Sequence, residues 1–387
     1  MSDNVSKFEP NPGKTLRRRI VLFVVVFLLV AAATALYAFR DSLNLDAARR
    51  FVRYLNVGGD AELGSFTYDS HNANQYADVN GGLAVASVSG LSLYDADGKE
   101  LAVVQAKMET PAIRTGGKLT MAFDVGGSNL AGLTQAGVQV LNISSARPIF
   151  DADCAQDGSV CYATSESGYK TVLYVYDSNQ NMIYRWLSAS QYMPVCAVSG
   201  GAKYLAAVSL GQKDGIFSSQ LHLFETASDQ PGRTAELGND LIYDLAFVDN
   251  QTLCAVGENS AQWLSLSGEN LASYTYDGAY LKDFDFGGDG FLSLVVNMYK
   301  AGNHYTVRTV DKTGSELGSA EFDVQILDFS AAGNYLAVLT AEKLSIYDSA
   351  MQLYAETQNT QSATNVVMRA DGSALLLGGG RGEVYLP

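Results

Sequence analysis

Two stretches of the chain carry acidic residues at one spacing: Asp151, Asp153 and Asp157-Gly158, then Asp283, Asp285 and Asp289-Gly290. Hard divalent cations take several carboxylate oxygens at once, so a repeated Asp-x-Asp-x-x-x-Asp-Gly invites a calcium reading. A calcium-binding helix–loop–helix spaces its acids as Asp-x-Asp-x-Asp-Gly, and neither copy does. The same residues make sense as hairpin-turn chemistry beside a wet channel, and no metal is expected. The three histidines, His71, His222 and His304, have no spacing that suits a zinc or haem ligand pair. No Gly-x-Ser-x-Gly, phosphate loop or Cys–His arrangement occurs, so no cofactor is expected. Carboxylates can still converge in space without a linear trace, which leaves a polysaccharide hydrolase or lyase open.

Four cysteines do not make a disulfide scaffold in a chain of 387 residues. Cys154 and Cys161 flank Asp157-Gly158, and a two-residue hairpin there would set them directly opposite one another. Facing Cα atoms lie about 4.5–5.5 Å apart, within disulfide reach. Counting outward from the turn, however, places the pair at the wider, hydrogen-bonded site. Two buried thiols are the expectation, with a Cys154–Cys161 disulfide as the alternative. Cys196 and Cys254 are expected to be reduced.

These residues sit in a repeat. A strand of alternating apolar residues, often ending in Tyr-Asp and a turn, recurs at residues 91–95, 138–142, 173–177, 221–225, 262–266, 305–311, 344–348 and 383–386. Short strands at a period in the thirties and forties of residues, without helical periodicity, are the signature of a β-propeller. Turn pairs precede these strands in step: Asn80-Gly81, Gly116-Gly117, Asp157-Gly158, Gly200-Gly201, Asp249-Asn250, Asp289-Gly290, Gly333-Asn334 and Asp371-Gly372. Such pairs supply the positive φ angles of tight hairpins. In the repeat around Cys154 the four strands, a to d, are expected at residues 151–156, 159–164, 171–177 and 182–187. The last repeat stops at strand c, and residues 64–68 form an unassigned strand ahead of the first. A ring closes if that strand fills the vacant outer place, so the expected fold is all-β, an eight-bladed β-propeller, with seven blades as the alternative.

The repeats resemble those of WD40-like and quinoprotein-like propellers from about residue 60 to 387. Tyr-Asp stands where true WD40 strands end in Trp-Asp. Asp95-Ala-Asp-Gly98 lacks the Thr and Trp of quinoprotein repeats, and only Trp186 and Trp263 occur in the chain, which argues against a quinone cofactor. The whole layout is similar to a family of single-pass, membrane-anchored bacterial propellers, a resemblance that implies no known activity.

That layout begins with residues 20–39, twenty residues without a charge. At about 1.5 Å rise per residue they span the hydrocarbon core of a bilayer, and no polar stripe marks them as a core helix. Lys14, Arg17, Arg18 and Arg19 precede them, which by the positive-inside rule keeps residues 1–19 cytoplasmic and sends the rest outward. Arg40, Arg49, Arg50 and Arg53 follow and lessen the asymmetry. Cleavage after Ala35, as in a signal peptide, is the alternative to an anchor; either exports the domain. Residues 40–58 are expected to form a juxtamembrane stalk helix, and residues 59–387 the propeller.

Residues 1–53 carry nine basic and four acidic side chains; residues 54–387 carry 17 and 37. So acidic a domain repels nucleic acid and anionic headgroups. Longer intervals between strands b and c are expected at residues 126–137, 211–219 and 299–304, on the face that also bears the d–a loops. Binding residues concentrate on such loops, which makes Lys213, Phe217, Tyr192, Tyr280, Tyr299, Lys300 and His304 the candidates for a sugar or peptide ligand. The expected function is a membrane-tethered, extracytoplasmic binding or assembly module of the cell envelope. Its partners would be the bilayer, through residues 20–39, and an envelope protein or saccharide.

Overall fold

The computed structural model describes residues 65–387 except residues 214 and 231. The cytoplasmic tail expected at 1–19, the apolar segment 20–39 and the stalk expected at 40–58 lie outside the described residues. Among those described, no helix is long and apolar enough to cross a membrane.

The described chain forms eight four-stranded antiparallel sheets. Seven take their strands consecutively; blade 3, for example, uses Ile149–Cys154, Val160–Glu166, Tyr169–Tyr176 and Met182–Ser188 as strands a to d. The eighth takes Asn365–Met368, Ala374–Gly378 and Arg381–Tyr385 from the end of the chain and Phe66–Thr67 from its start. Eight blades, and closure by the N-terminal strand, are thus both observed. The turn pairs expected from the sequence do join strands a and b. At Asn80-Gly81 both residues have positive φ, 54° and 81°, the twist that a two-residue hairpin demands.

Strand b of each blade is buried on both faces; Gly82–Ser87, Leu119–Asp124, Thr252–Gly257, Phe291–Asn297 and Tyr335–Thr340 have no exposed residue. Outer strands alternate instead, as in Asn270–Thr275 and Glu316–Phe322. A propeller therefore has no single core. It has one apolar layer at every interface between neighbouring blades, from Leu93, Ala122 and Leu133 between blades 1 and 2 to Phe66, Leu83, Val367 and Leu377 between blades 8 and 1.

Closure rests on few residues. Phe66 pairs with Gly382 and Thr67 with Arg381, and Tyr68 donates its amide to the Gly380 carbonyl at 3.0 Å. Gly382 lets the strands approach closely: a Cβ there would stand 2.6 Å from Leu377 Cδ2 and 3.3 Å from Phe66 Cβ, so either side chain would have to shift. On the turn side, Arg369, 2% exposed, reaches from blade 8 to Asp78 of blade 1 at 2.9 Å and donates to the Gly81 carbonyl.

Three expectations change. Residues 126–137 are not a long loop: Asn129–Thr134 is strand c of blade 2, and residues 139–142 of the expected strand c fall in strand d, Gln139–Ser144. Gly132 hid the strand; a Cβ there would crowd Leu141, 3.1 Å from its Cβ. Residues 211–219 are not a loop either, but the far end of a ten-residue hairpin, Tyr204–Lys213 with Ile216–Glu225, paired out to Lys213↔Ile216. Finally, Cys154 does not face Cys161. The turn spans three residues, with Ala155 donating to Ser159 O and Gly158 to Ala155 O, so Cys154 opposes Val160 while Asp153 opposes Cys161. A one-residue slip reverses the face. Cys154 enters the layer toward blade 2 and Cys161 the layer toward blade 4, which rules out the Cys154–Cys161 bridge; all four cysteines are buried thiols.

Phe66 is fully buried, and truncating such a side chain costs about 3–5 kcal/mol. Phe66→Ala is expected to lower the urea midpoint by that measure and to expose the Arg381–Tyr385 edge to proteolysis. A variant as stable as the parent would contradict closure by this strand.

Candidate functional site

Strand a of each blade begins at the d–a loop, and strand a packs on strand a between blades 1 and 2, 2 and 3, 3 and 4, 4 and 5, 7 and 8, and 8 and 1, so these strands line the central channel. In blades 3, 5, 6 and 7 the a–b register slips at one place: Ile149/Asp151, Ile242/Asp244, Leu281/Asp283 and Ile326/Asp328. Blade 4 slips between Tyr192 and Val195. A bulge inserts an unpaired residue and re-aims its side chain. The inserted residues are Phe150, Tyr243, Lys282 and Leu327, each followed by aspartate. All lie at the start of strand a, at the mouth of the channel on the face of the d–a and b–c loops. Tyr243 is 46% exposed and Leu327 36%.

The aspartates below the bulges reach sideways. Asp151 accepts the Cys196 amide at 2.9 Å, Asp153 the Val198 amide at 3.0 Å and Asp157 the Gly201 amide at 3.0 Å, so three carboxylates of blade 3 hold blade 4. Asp285 accepts from Ala331 at 2.7 Å and Asp328 from Val366 at 2.8 Å, linking blades 6 to 7 and 7 to 8. Asp283 accepts the amide of its own neighbour Phe284, and Asp289 engages through its backbone, donating to Gly333 O at 2.8 Å. The repeated acidic motif thus serves chiefly as a latch between blades, through Asp151, Asp153, Asp157 and Asp285. Its carboxylates engage amides one by one, and among the described residues no three metal-ligating side chains converge.

Asp244 is the exception. Arg114 of blade 2 donates to it across the channel at 2.9 Å and stands 3.9 Å from Asp151. The guanidinium keeps 35% of its side-chain exposure and stands among the carboxylates of Asp244, Asp151 and Asp153. The pull of Asp244 holds it protonated. Burial pushes Asp153 and Asp285 up to about 6 and Asp328 up to about 7. It also raises Asp151, with Arg114 opposing, and Asp283. Charged carboxylates are costly to enclose, and each amide donor recovers only part of that cost.

The sequence candidates separate. Tyr280, Tyr299 and Lys300 come together on blade 6. The Lys300 ammonium lies 5.6 Å from the Tyr280 ring centroid and that of Lys282 5.8 Å, with Lys282 also donating to Lys300 O at 2.8 Å. Tyr299 projects, 63% exposed, from a loop shaped by Asn297, which accepts the Tyr299 amide and donates to Gly302 O. Tyr192 stands at the mouth edge-to-face with Phe150, centroids 5.0 Å apart. His304 is tied to Asp323 at 2.6 Å and Phe217 sits near the tip of the blade 4 hairpin; neither has a contact with the blade 6 cluster. Lys213 pairs with Ile216 in that hairpin. The sequence reading missed Phe150, Tyr243, Lys282 and Leu327. Their signal was the recurrent Ile/Leu-x-Asp at 149–151, 242–244, 281–283 and 326–328. A separate cleft of about 210 Å³ on the opposite face, lined by Tyr204, Glu225, Arg233 and Leu266, contains none of these residues.

The raised carboxylates tie stability to pH. Between the unfolded value near 3.9 and about 7, the folded chain keeps the Asp328 proton that the unfolded chain loses. Stability therefore falls as pH rises through that window. Asp328→Asn retains an acceptor for Val366 and removes the charge. It is expected to raise stability at pH 8 by about 1–2 kcal/mol, and at pH 5 by only about a third as much. Urea unfolding at both pH values checks this, and an equal gain at both would contradict it.

No curated protein is similar to this chain in sequence. Among solved structures, the C-terminal WD40 domain of Sif2 superposes with a TM-score of 0.53 at 13% identity, over 85% of this chain and 96% of that one. Apo AztD from Citrobacter koseri gives 0.49 at 11% identity, over 78% and 90%. The first shows the WD40-like propeller fold that the strands display, and the level of identity carries no activity with it. The sequence of residues 62–377 matches one family model, described as a family of unknown function, and the chain belongs to that family, DUF5711.

Proposed function

We propose that this protein is a membrane-tethered, extracytoplasmic propeller that binds a saccharide or peptide of the cell envelope at the mouth of its channel. The observation that carries the reading is the blade 6 cluster, in which Tyr280 is flanked by Lys282 and Lys300 beside the exposed Tyr299. Flat aromatic faces stack on sugar rings or peptide groups, and the ammonium groups favour a ligand with carboxylate or other anionic substituents. The scaffold is rigid, so the cluster is held in place before the ligand arrives. Tethering rests on residues 20–39 and the basic residues ahead of them.

A second reading, a hydrolase or lyase, draws on Asp283 and Asp328, which occupy equivalent places on adjacent blades and repel one another. It is the less favoured because Asp328 already holds the Val366 amide. The pair is raised by burial, which a structural latch explains without catalysis.

Binding of the full chain in detergent to an array of envelope glycans and peptides tests the first reading. Tyr280→Ala and Lys300→Ala are each expected to weaken binding about tenfold while the melting temperature stays put. Turnover of a bound glycan that disappears in Asp283→Asn would favour the enzyme instead. For the topology, protease added outside intact spheroplasts is expected to digest residues 59–387 and spare a tag on residues 1–19. The reverse pattern would overturn the orientation.

A further inference from the structure

The layer between blades 3 and 4 brings two thiols together that the chain separates by 35 residues. Cys161 lies on strand b of blade 3 and Cys196 on strand a of blade 4, with their sulfurs 3.6 Å apart. They are 0% and 1% exposed. The position of Cys196 is not incidental, for its amide is gripped by the Asp151 carboxylate at 2.9 Å and its sulfur points at the Asp151 carbonyl, 3.8 Å away. The latch that joins the two blades thus also sets one thiol against the other. Neither remaining cysteine has such a neighbour: the Cys154 sulfur is directed at Leu119 O, 3.9 Å away, and Cys254 is buried in the layer between blades 5 and 6.

We propose that Cys161 and Cys196 form a disulfide that joins blade 3 to blade 4 when the chain folds in an oxidising compartment. A disulfide needs sulfurs about 2.05 Å apart, so the two must close by about 1.5 Å, which rotation of both side chains and a small shift of the blades supply. The oxidant is a low-molecular-weight disulfide or a disulfide-exchange protein. One cysteine thiolate attacks it and a thiol leaves; the second cysteine attacks the mixed disulfide and releases the other. Two protein thiols become one S–S bond, and the oxidant departs as two thiols carrying the protons and electrons. Burial raises the Cys161 pKa, and the hydrogen bond with Cys161 together with burial raises that of Cys196; burial also closes off access, so exchange takes place before blades 3 and 4 dock. The bond shortens the unfolded chain's reach and so favours the docked ring. Its occurrence in the cell rests on the extracytoplasmic reading above, whereas its chemistry does not.

The test keeps the two apart. The full chain in detergent, unfolded in urea with reductant, is refolded in a glutathione redox buffer, and the folded fraction is isolated by size exclusion. Alkylation in denaturant and peptide mapping without reduction then follow. The expected product has two alkylatable thiols, Cys154 and Cys254, a Cys161–Cys196 cross-linked peptide, and a melting temperature that reductant lowers by several degrees. Cys161→Ser is expected to fold, to form no cross-link and to show no response to reductant. Four alkylatable thiols in the folded wild-type fraction, or a cross-link through Cys154 or Cys254, would overturn the proposal. Protein recovered from cells with both thiols free, despite cross-linking on refolding, would count against export and not against the pair.

Discussion

Each blade buries its two faces only against its neighbours, so the apolar layers of this ring are complete only while it is shut. The pairing of Phe66–Thr67 with Arg381–Tyr385 supplies that closure. It removes the open edge of the last sheet, which would otherwise be a template for another chain. It also carries Phe66 into the layer between blades 8 and 1. Only two paired residues do this work, and Tyr68 extends their hold through Gly380. The Arg369–Asp78 ion pair and the contact of Arg369 with Gly81 tie the same two blades together at the turn end. Apolar burial, a strand ladder and a nearly buried ion pair thus act at one seam from independent positions.

Around the inner wall, charge takes over from apolar packing. Strand a sits too close to the axis for large side chains on every blade, and aspartate is short enough to turn back onto the amide of its neighbour. Five such bonds, from Asp151, Asp153, Asp157, Asp285 and Asp328, fasten blades 3 to 4, 6 to 7 and 7 to 8. The cost is enclosure of carboxylates, which shows as pKa values lifted by burial at Asp151, Asp153, Asp285 and Asp328. Arg114, reaching across to Asp244, relieves part of that cost, since a paired buried charge is tolerable where a lone one is not.

The bulges connect this wall to the surface. Each bulge precedes an aspartate; in blades 3 and 7 that carboxylate, Asp151 or Asp328, holds an amide of the next blade, while the inserted residue lies at the mouth. The scaffold and the candidate site are therefore built by one local device. Blade 6 departs from the others in carrying lysine at its bulge, and its loop adds Tyr299 and Lys300. That is why the cationic and aromatic groups of an acidic domain gather there.

Much of the architecture was legible in the chain. The turn pairs at positive φ, the period of the c strands and the missing last strand d determined eight blades and their closure, because turn chemistry and strand length are local properties. Where a local signal failed, a strand was lost: Gly132, which sits close against Leu141, broke the apolar alternation of blade 2. The blade 6 cluster of Tyr280, Tyr299 and Lys300 was also readable, since loop position follows from strand order. Register was not. One extra residue in the turn after Cys154 moved Cys161 to the other face, and no composition rule fixes a turn at two residues or three. Nor could the chain reveal that Asp151 and Cys196, or Arg114 and Asp244, would meet, because those contacts join blades and exist only when the ring is closed.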